Sequence, residues 1–226
     1  MNQEFRVSRL AQVKRVLVLH DLGADADNAA WRAGMLARRH GGWLRVLHLS
    51  RFGNAEEART RLAPLAWRLQ EHLQIAVLAQ AVRGPFTEEL RRAAEEADLI
   101  VISPPSALAA ATGSHPLRVA RLAGRPTLVV RTSATTPYRR VLVGEGADRG
   151  LDHGRAVAHS MSDGKEVPVL ASLGSAGELL DRERALFPDL VVLPCPQTVS
   201  IARRFLAHTR ADTLLVPVSR ATARAR

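Results

Sequence analysis

Arg15-Val-Leu-Val-Leu-His20 is a short, continuously apolar run, and it begins a pattern that recurs along the chain. A run without polar alternation is typical of a parallel β-strand that is covered on both faces. Helical patterns separate it from further runs of the same kind, which predicts an α/β sheet with right-handed crossovers. The further runs are Leu44-Arg-Val-Leu-His-Leu49, Ile75-Ala-Val-Leu78, Asp98-Leu-Ile-Val-Ile102 and Thr127-Leu-Val-Val130.

The intervening helices carry their own start and stop signals. Asp25 or Asp27 is predicted to cap a helix that runs to about Arg39. Pro64 lies inside the next helical pattern, and because proline lacks an N–H it is expected to kink that helix or split it in two. Gly84-Pro85 opens a third helix, with the proline in its first turn.

The strand pattern starts again after residues 131–139, a segment with Thr, Ser and Pro that is predicted to be a linker. The later copy is 34 residues shorter between its first strand and the strand that begins with Asp-Leu, which is about one strand–helix unit. We therefore predict two doubly wound parallel-sheet modules, residues 1–135 and 136–226, the second trimmed to four strands and packed against the first. The repeated runs are Arg140-Val-Leu-Val143, Asp189-Leu-Val-Val-Leu193 and Thr213-Leu-Leu-Val216.

Composition and charge exclude several classes of protein. The 226 residues carry a formal charge of +10, but only Lys14 and Lys165 are lysines, and the remaining 30 basic residues are arginines spread along the chain. This distribution makes nucleic-acid binding an alternative rather than the first hypothesis. The single cysteine, Cys195, cannot form an internal disulfide or a thiolate metal site. No apolar run is long enough to cross a bilayer, and the polar N-terminus predicts no secretory signal, so we expect a cytoplasmic protein without a membrane partner.

The first module resembles the universal stress protein family over residues 14–131, and residues 138–220 resemble it more weakly. The resemblance implies a strand order of 3-2-1-4-5 and modules that pair through their last strands, so that a tandem chain would form a pseudo-dimer. The matching pieces are Val16-Leu-Val-Leu-His-Asp21, Leu44-Arg-Val-Leu-His-Leu49, Gly84-Pro85, Ala97-Asp-Leu-Ile-Val-Ile102, Gly113-Ser114 and Arg125-Pro-Thr-Leu-Val-Val130.

The same resemblance implies a nucleotide cleft at the carboxyl ends of the first and fourth strands. Nucleotide-binding members place an aspartate after the first strand, an aliphatic residue at the end of the second, and a loop G-x2-G-x9-G-[ST] after the fourth. Asp21, Leu49 and Gly113-Ser114 match these positions. Each also has a structural interpretation, as a turn residue, a core residue and a helix start, respectively.

The first two loop glycines are replaced by Ser103 and Ser106, which flank Pro104-Pro105, and the loop is three residues shorter than the family pattern. Prolines remove N–H donors and serine side chains restrict the close approach that glycine permits. We therefore predict lost or weak ATP binding and no resident cofactor, with ATP or AMP bound by the first module as the alternative. The second module has Gly144-Glu145 and Pro194-Cys195 at the corresponding places, so no family-type site is expected there.

The sequence contains no nucleophile, metal or Walker motif, so we predict a protein that is not an enzyme. His20, His48 and His115 could converge near the cleft, although a structural role is the simpler interpretation for each. Cys195 is predicted to be an inert, buried thiol. The function indicated is a non-catalytic stress-response protein that binds a ligand or an unidentified protein partner, and a homodimer stays open.

Overall fold

A single nine-stranded sheet forms the centre of the computed structural model, which describes residues 13–104, 116–133, 137–144, 150–162, 169–170, 175–195 and 199–217. Continuous runs of Val, Leu and Ile form the strands, because such segments bury both faces of a sheet. The strands are β1 (Arg15–Leu19), β2 (Trp43–Ser50), β3 (Val77–Arg83), β4 (Leu99–Ile102), β5 (Thr127–Val129), β6 (Val141–Gly144), β7 (Val169–Leu170), β8 (Leu190–Cys195) and β9 (Asp212–Pro217).

Seven helices are described, and most of them connect parallel strands. They are α1 (Ala24–Arg39), α2 (Ala55–Leu73), α3 (Phe86–Glu95), α4 (Pro116–Ala123), α5 (Gly150–Met161), α6 (Ala176–Leu186) and α7 (Val199–His208).

The sheet order is β3-β2-β1-β4-β5-β9-β8-β6-β7. Its first five strands are all parallel, and the predicted order 3-2-1-4-5 is confirmed. Strands β6 to β9 are parallel among themselves, while β5 and β9 pair antiparallel. As a consequence, the carboxyl ends of β1 to β5 and the amino ends of β6 to β9 lie at the same edge of the sheet.

Two apolar layers cover the two faces of the sheet. Strand residues alternate between the layers, since Val16 and Val18 belong to one and Leu17 to the other. Helices α1, α2 and α5 pack on the first layer, as shown by Ala33, Leu69 and Met161. Helices α3, α4, α6 and α7 pack on the second, through Leu90, Val119, Leu179 and Phe205. This is the doubly wound α/β architecture that the sequence predicted.

The structure corrects three local predictions in detail, although for Pro64 it excludes only one of the two alternatives, the split helix. Gly23, not Asp25 or Asp27, is the N-cap of α1, and both aspartates lie in the first turn, where they still favour the positive end of the helix dipole. Helix α2 runs through Pro64 without being split, after a start at which the Asn54 side chain accepts hydrogen bonds from the N–H groups of Glu56 and Glu57. Strand β3 begins at Val77 rather than Ile75 and extends to Arg83.

Candidate functional site

The structure places three of the sequence-predicted site residues at the edge where β1, β2 and β4 end. Leu19 of β1 is in register with Leu47 of β2 and Ile102 of β4. Asp21 and Ser103 therefore follow neighbouring strands, and Leu49 lies on β2 two residues beyond the paired position. Because the strand order reverses between β1 and β4, this edge is the topological switch point of the first five strands. The predicted Ser106, Gly113 and Ser114 lie outside the described residues.

Asp21 forms the turn that leads into α1. One oxygen of its carboxylate, Oδ1, accepts a hydrogen bond from the backbone N–H of Gly23 at 3.0 Å. Leu22, between them, adopts a left-handed backbone conformation with φ of 67°. This conformation is unfavourable for a residue with a Cβ, so the surrounding contacts must hold it in place. Leu49 is partly buried and packs against the second apolar layer.

His20 is the buried polar group that stabilises this turn. Its Nδ1 accepts a hydrogen bond from the backbone N–H of Leu22 at 3.0 Å, and its Nε2 lies 3.0 Å from Oδ1 of Asp27. The accepting Nδ1 requires the neutral ring with its proton on Nε2, which is donated to Asp27. Burial lowers the pKa of His20, against the opposing effect of Asp27, which agrees with a neutral ring.

His48 joins the same cluster from β2. Its Nδ1 lies 2.7 Å from the backbone oxygen of His20, to which it donates. The structure thus brings His20 and His48 together, whereas His115 lies outside the described residues. Asp27 links the cluster to α2, because its second oxygen lies 3.8 Å from the Arg68 guanidinium.

The described part of the switch point contains Ser103, Pro104 and three aspartates. Ser103 and Pro104 stand where a glycine would begin the phosphate loop, and Pro104 has no N–H to donate. Asp21, Asp25 and Asp27 place three carboxylates in the turn after β1 and the first turn of α1. Phosphate groups brought to this edge would meet like charges.

A second polar cluster surrounds Asp212, the first residue of β9, and nothing in the sequence patterns singled it out. The Asp212 side chain is fully buried, and its Oδ1 accepts hydrogen bonds from the N–H groups of Arg131 and Thr132 and from the Thr132 hydroxyl. The hydroxyl of Tyr138 donates to Oδ2 at 2.5 Å. Burial, together with Asp212, raises the pKa of Tyr138 well above its ordinary value, so the hydroxyl keeps its proton.

Arg32 of α1 completes this cluster. Its guanidinium lies 4.5 Å from the centre of the Tyr138 ring, and its Nε is 3.6 Å from Oδ2 of Asp212. Asp212 therefore ties the segments 131–133 and 137–139, which we call the connector, to both α1 and β9. The one signal in the sequence is an acidic residue at the start of a buried apolar strand, where an unpaired carboxylate would be costly.

The second half carries no comparable cluster at the carboxyl ends of its described strands. Cys195, at the end of β8, is 2% exposed, and burial raises the pKa of its thiol. Such a thiol is protonated at neutral pH and reacts slowly. Among the described residues, no three His, Cys, Asp or Glu side chains form a group that could hold a metal ion. Nor does any described helix combine the length and apolar character needed to cross a membrane.

Comparison with known proteins found similar solved structures, but no matching family model or curated protein sequence. No protein-family model matches the chain, and no curated protein matches it. A universal stress protein from Archaeoglobus fulgidus superimposes with a TM-score of 0.69 at 12% identity, covering 92% of this chain and 98% of that one. A protein of unknown function from Pseudomonas aeruginosa superimposes with a TM-score of 0.60 at 15% identity, covering 93% and 94%. A universal stress protein in complex with cAMP covers 53% of this chain and 98% of that one, with a TM-score of 0.44 at 24% identity. The chain thus has the α/β fold seen in universal stress proteins.

Proposed function

We propose that the chain is a tandem universal stress protein with a degenerate second module, which acts in the stress response by binding a ligand or a protein partner and not by catalysis. Its modules are residues 1–135 and 136–226, and tight ATP binding at the switch point of the first has been lost. The observation that carries the tandem interpretation is the matching register of the two halves of the sheet.

Equivalent residues of the two halves pair in the same way. Val16 pairs with Leu99 in the first half, and Val141 pairs with Leu190 in the second. If these pairs are equivalent, Ile100 corresponds to Val191, and these residues do pair with corresponding threonines, Thr127 and Thr213. Two halves of independent origin would not need to share the same strand register. The shared register therefore supports a duplication.

A side-chain contact is repeated with the strands. Asp98 accepts hydrogen bonds from the N–H groups of Lys14 and Arg15 and pairs with the Arg15 guanidinium. Asp189 accepts from the N–H groups of Arg139 and Arg140, and its carboxylate lies 3.9 Å from the Arg140 guanidinium.

The contact between the halves has approximate twofold symmetry. Leu128 pairs with Leu214 at its centre, Thr127 pairs with Leu215, and Val129 pairs with Thr213. Each threonine thus faces the residue two positions beyond the other threonine, as in an isologous interface. This symmetry supports a pseudo-dimer, with the shortened module lacking the counterpart of β3 and α2.

The loss of ATP binding is argued from the switch point. Pro104 and Ser103 reduce the backbone donors available after β4, and three aspartates make the edge of β1 acidic. A nucleotide-binding regulator is the second candidate, because Asp21 and Leu49 keep the family positions at this edge. The two candidates differ in whether a nucleotide binds at these residues, so one experiment separates them.

The experiment measures whether any response to nucleotide depends on Asp21. A ligand at 100 times its dissociation constant stabilises a protein by about 2.7 kcal/mol, roughly a 5–11 °C rise in Tm for a chain of this size. We expect that Asp21→Ala leaves any effect of about 1 mM Mg-ATP or AMP on Tm unchanged, as does the matched control Asp25→Ala. An increase in Tm that Asp21→Ala alone abolishes, or adenylate that co-purifies with the wild type but not with this variant, would establish the nucleotide-binding regulator instead.

A further inference from the structure

A cavity of about 1070 Å³ opens at the boundary between the two halves, away from the switch point. Its wall contains Thr132, Ser133 and Tyr138 from the connector, together with residues of α6 and α7. None of Asp21, Leu49 or Ser103 lines it. Its volume is that of a ligand pocket able to hold a small organic molecule.

Positive charge dominates the wall of this cavity. Five arginines line it, together with His208, against two acidic residues, Glu183 and Asp189. The arginines are Arg32, Arg140, Arg184, Arg204 and Arg210. The imbalance exceeds what ion pairs within the wall can neutralise.

Both acidic residues are engaged by backbone donors. Oε1 of Glu183 accepts hydrogen bonds from the Thr209 hydroxyl at 2.9 Å and from the N–H groups of Arg210 and Ala211 at 2.8 and 3.0 Å. Oδ2 of Asp189 accepts two backbone N–H groups at 3.0 Å each. These carboxylates therefore serve the local fold and are poorly placed to neutralise distant guanidinium groups.

The guanidinium groups divide into two sets. Arg32, Arg140 and Arg184 have carboxylate partners in Asp212, Asp189 and Asp181, respectively. Arg204 and Arg210 are exposed, and within the described residues neither forms an ion pair. Two guanidinium groups that have no carboxylate partner among the described residues thus line the same cavity. Each offers the planar fork that binds a phosphate group through two hydrogen bonds.

We propose that this cavity binds a small organic molecule carrying two or more phosphate groups, held by Arg204 and Arg210. A concave wall that bounds a limited volume favours a small ligand over a nucleic acid, whose backbone would follow an extended stripe of charge. The proposal is independent of the function proposed above, because the cavity lies at the ends of different strands, β5, β6, β8 and β9, and needs no nucleotide at Asp21.

Sodium tripolyphosphate is the probe, and isothermal titration calorimetry at low salt is the measurement. The variant Arg204→Glu/Arg210→Glu is compared with Arg182→Glu/Arg203→Glu, which makes the same charge change on exposed arginines of α6 and α7 that do not line the cavity. A charge-assisted hydrogen bond contributes about tenfold or more in affinity. We expect the first variant to bind at least about a hundredfold more weakly, and the control to bind within about threefold of the wild type.

Three results would overturn the proposal. The first is that the wild type does not bind tripolyphosphate at about 1 mM. The second is that both variants lose affinity for tripolyphosphate equally. The third is that a labelled single-stranded oligonucleotide binds the wild type and is not displaced by tripolyphosphate. Circular dichroism checks that each variant is folded. If the variant Arg204→Glu/Arg210→Glu does not fold, Arg204→Gln/Arg210→Gln is used in its place. Loss of an ATP response in the cavity variant but not in Asp21→Ala would support this site and leave the proposal for the switch point intact.

Discussion

Replacing Asp212 by alanine should destabilise the protein more than replacing any exposed acidic residue. The carboxylate is completely buried at the boundary of the two halves. Its removal leaves the Tyr138 hydroxyl and the N–H groups of Arg131 and Thr132 without their acceptor. It also removes the buried carboxylate that pairs with the Arg32 guanidinium, whose side chain is 5% exposed.

The size of the effect follows from the buried charge. Removing one partner of a buried ion pair costs about 3–5 kcal/mol, because the other charge stays out of water. We expect Asp212→Ala to lower the free energy of unfolding by about 4 kcal/mol. For a chain of this length, that loss corresponds to a fall in Tm of about 8–16 °C.

Urea unfolding followed by circular dichroism measures the change at neutral pH. Asp181→Ala is the control, because Asp181 forms an exposed pair with Arg184 at 3.1 Å and should cost less than about 1 kcal/mol. The double variant Arg32→Met/Asp212→Leu should recover part of the loss, since it removes both charges together. A cost of Asp212→Ala equal to that of Asp181→Ala would refute the assignment of a buried, charge-paired network.

Two further predictions concern the first half. Gln74 is exposed after α2 and has a left-handed backbone conformation, with a φ of 53°, that strains any residue with a Cβ. Gln74→Gly should therefore raise the free energy of unfolding by about 1 kcal/mol, measured by urea unfolding. A loss of stability would contradict this assignment of backbone strain. Burial lowers the pKa of His20 in the folded chain, so the unfolded chain takes up the proton first and stability falls as the pH drops below about 6.5. His20→Gln should flatten that dependence in unfolding curves recorded from about pH 8 to pH 5, and an unchanged slope would exclude His20 as its source.

The sequence was sufficient for the strands because their chemistry is local. A fully buried strand must be apolar along its whole length, and Leu99–Ile102 and Thr127–Val129 were predicted almost to the residue. Strand β3 lies at the edge of the sheet and is only partly buried, so polar Gln80 and Arg83 were allowed in it and its end was missed. Strand order is not a local property, and it came from the family resemblance.

The candidate sites were less predictable, because they depend on contacts between distant residues. Asp212 reaches Tyr138 across 74 positions and Thr132 across 80, and no sequence spacing encodes such pairs. The convergence of His20 and His48 was raised from the sequence, but the hydrogen bond that fixes the His20 tautomer depends on the backbone of Leu22. Such a bond cannot be predicted from the sequence, because it depends on the backbone conformation of the turn.

The antiparallel contact between β5 and β9 explains why the cavity can exist at all. Two halves joined in this way present the carboxyl ends of one set of strands and the amino ends of the other at the same edge. The connector leaves β5 at that edge, and Asp189 and Ala211 precede β8 and β9 there, so the cavity is built from segments that do not form the switch point of either half. The proposed loss of a strand–helix unit from the second half would remove material at the far end of the sheet. A shortened second half is therefore compatible with an intact boundary site, and the boundary is where binding should be tested first.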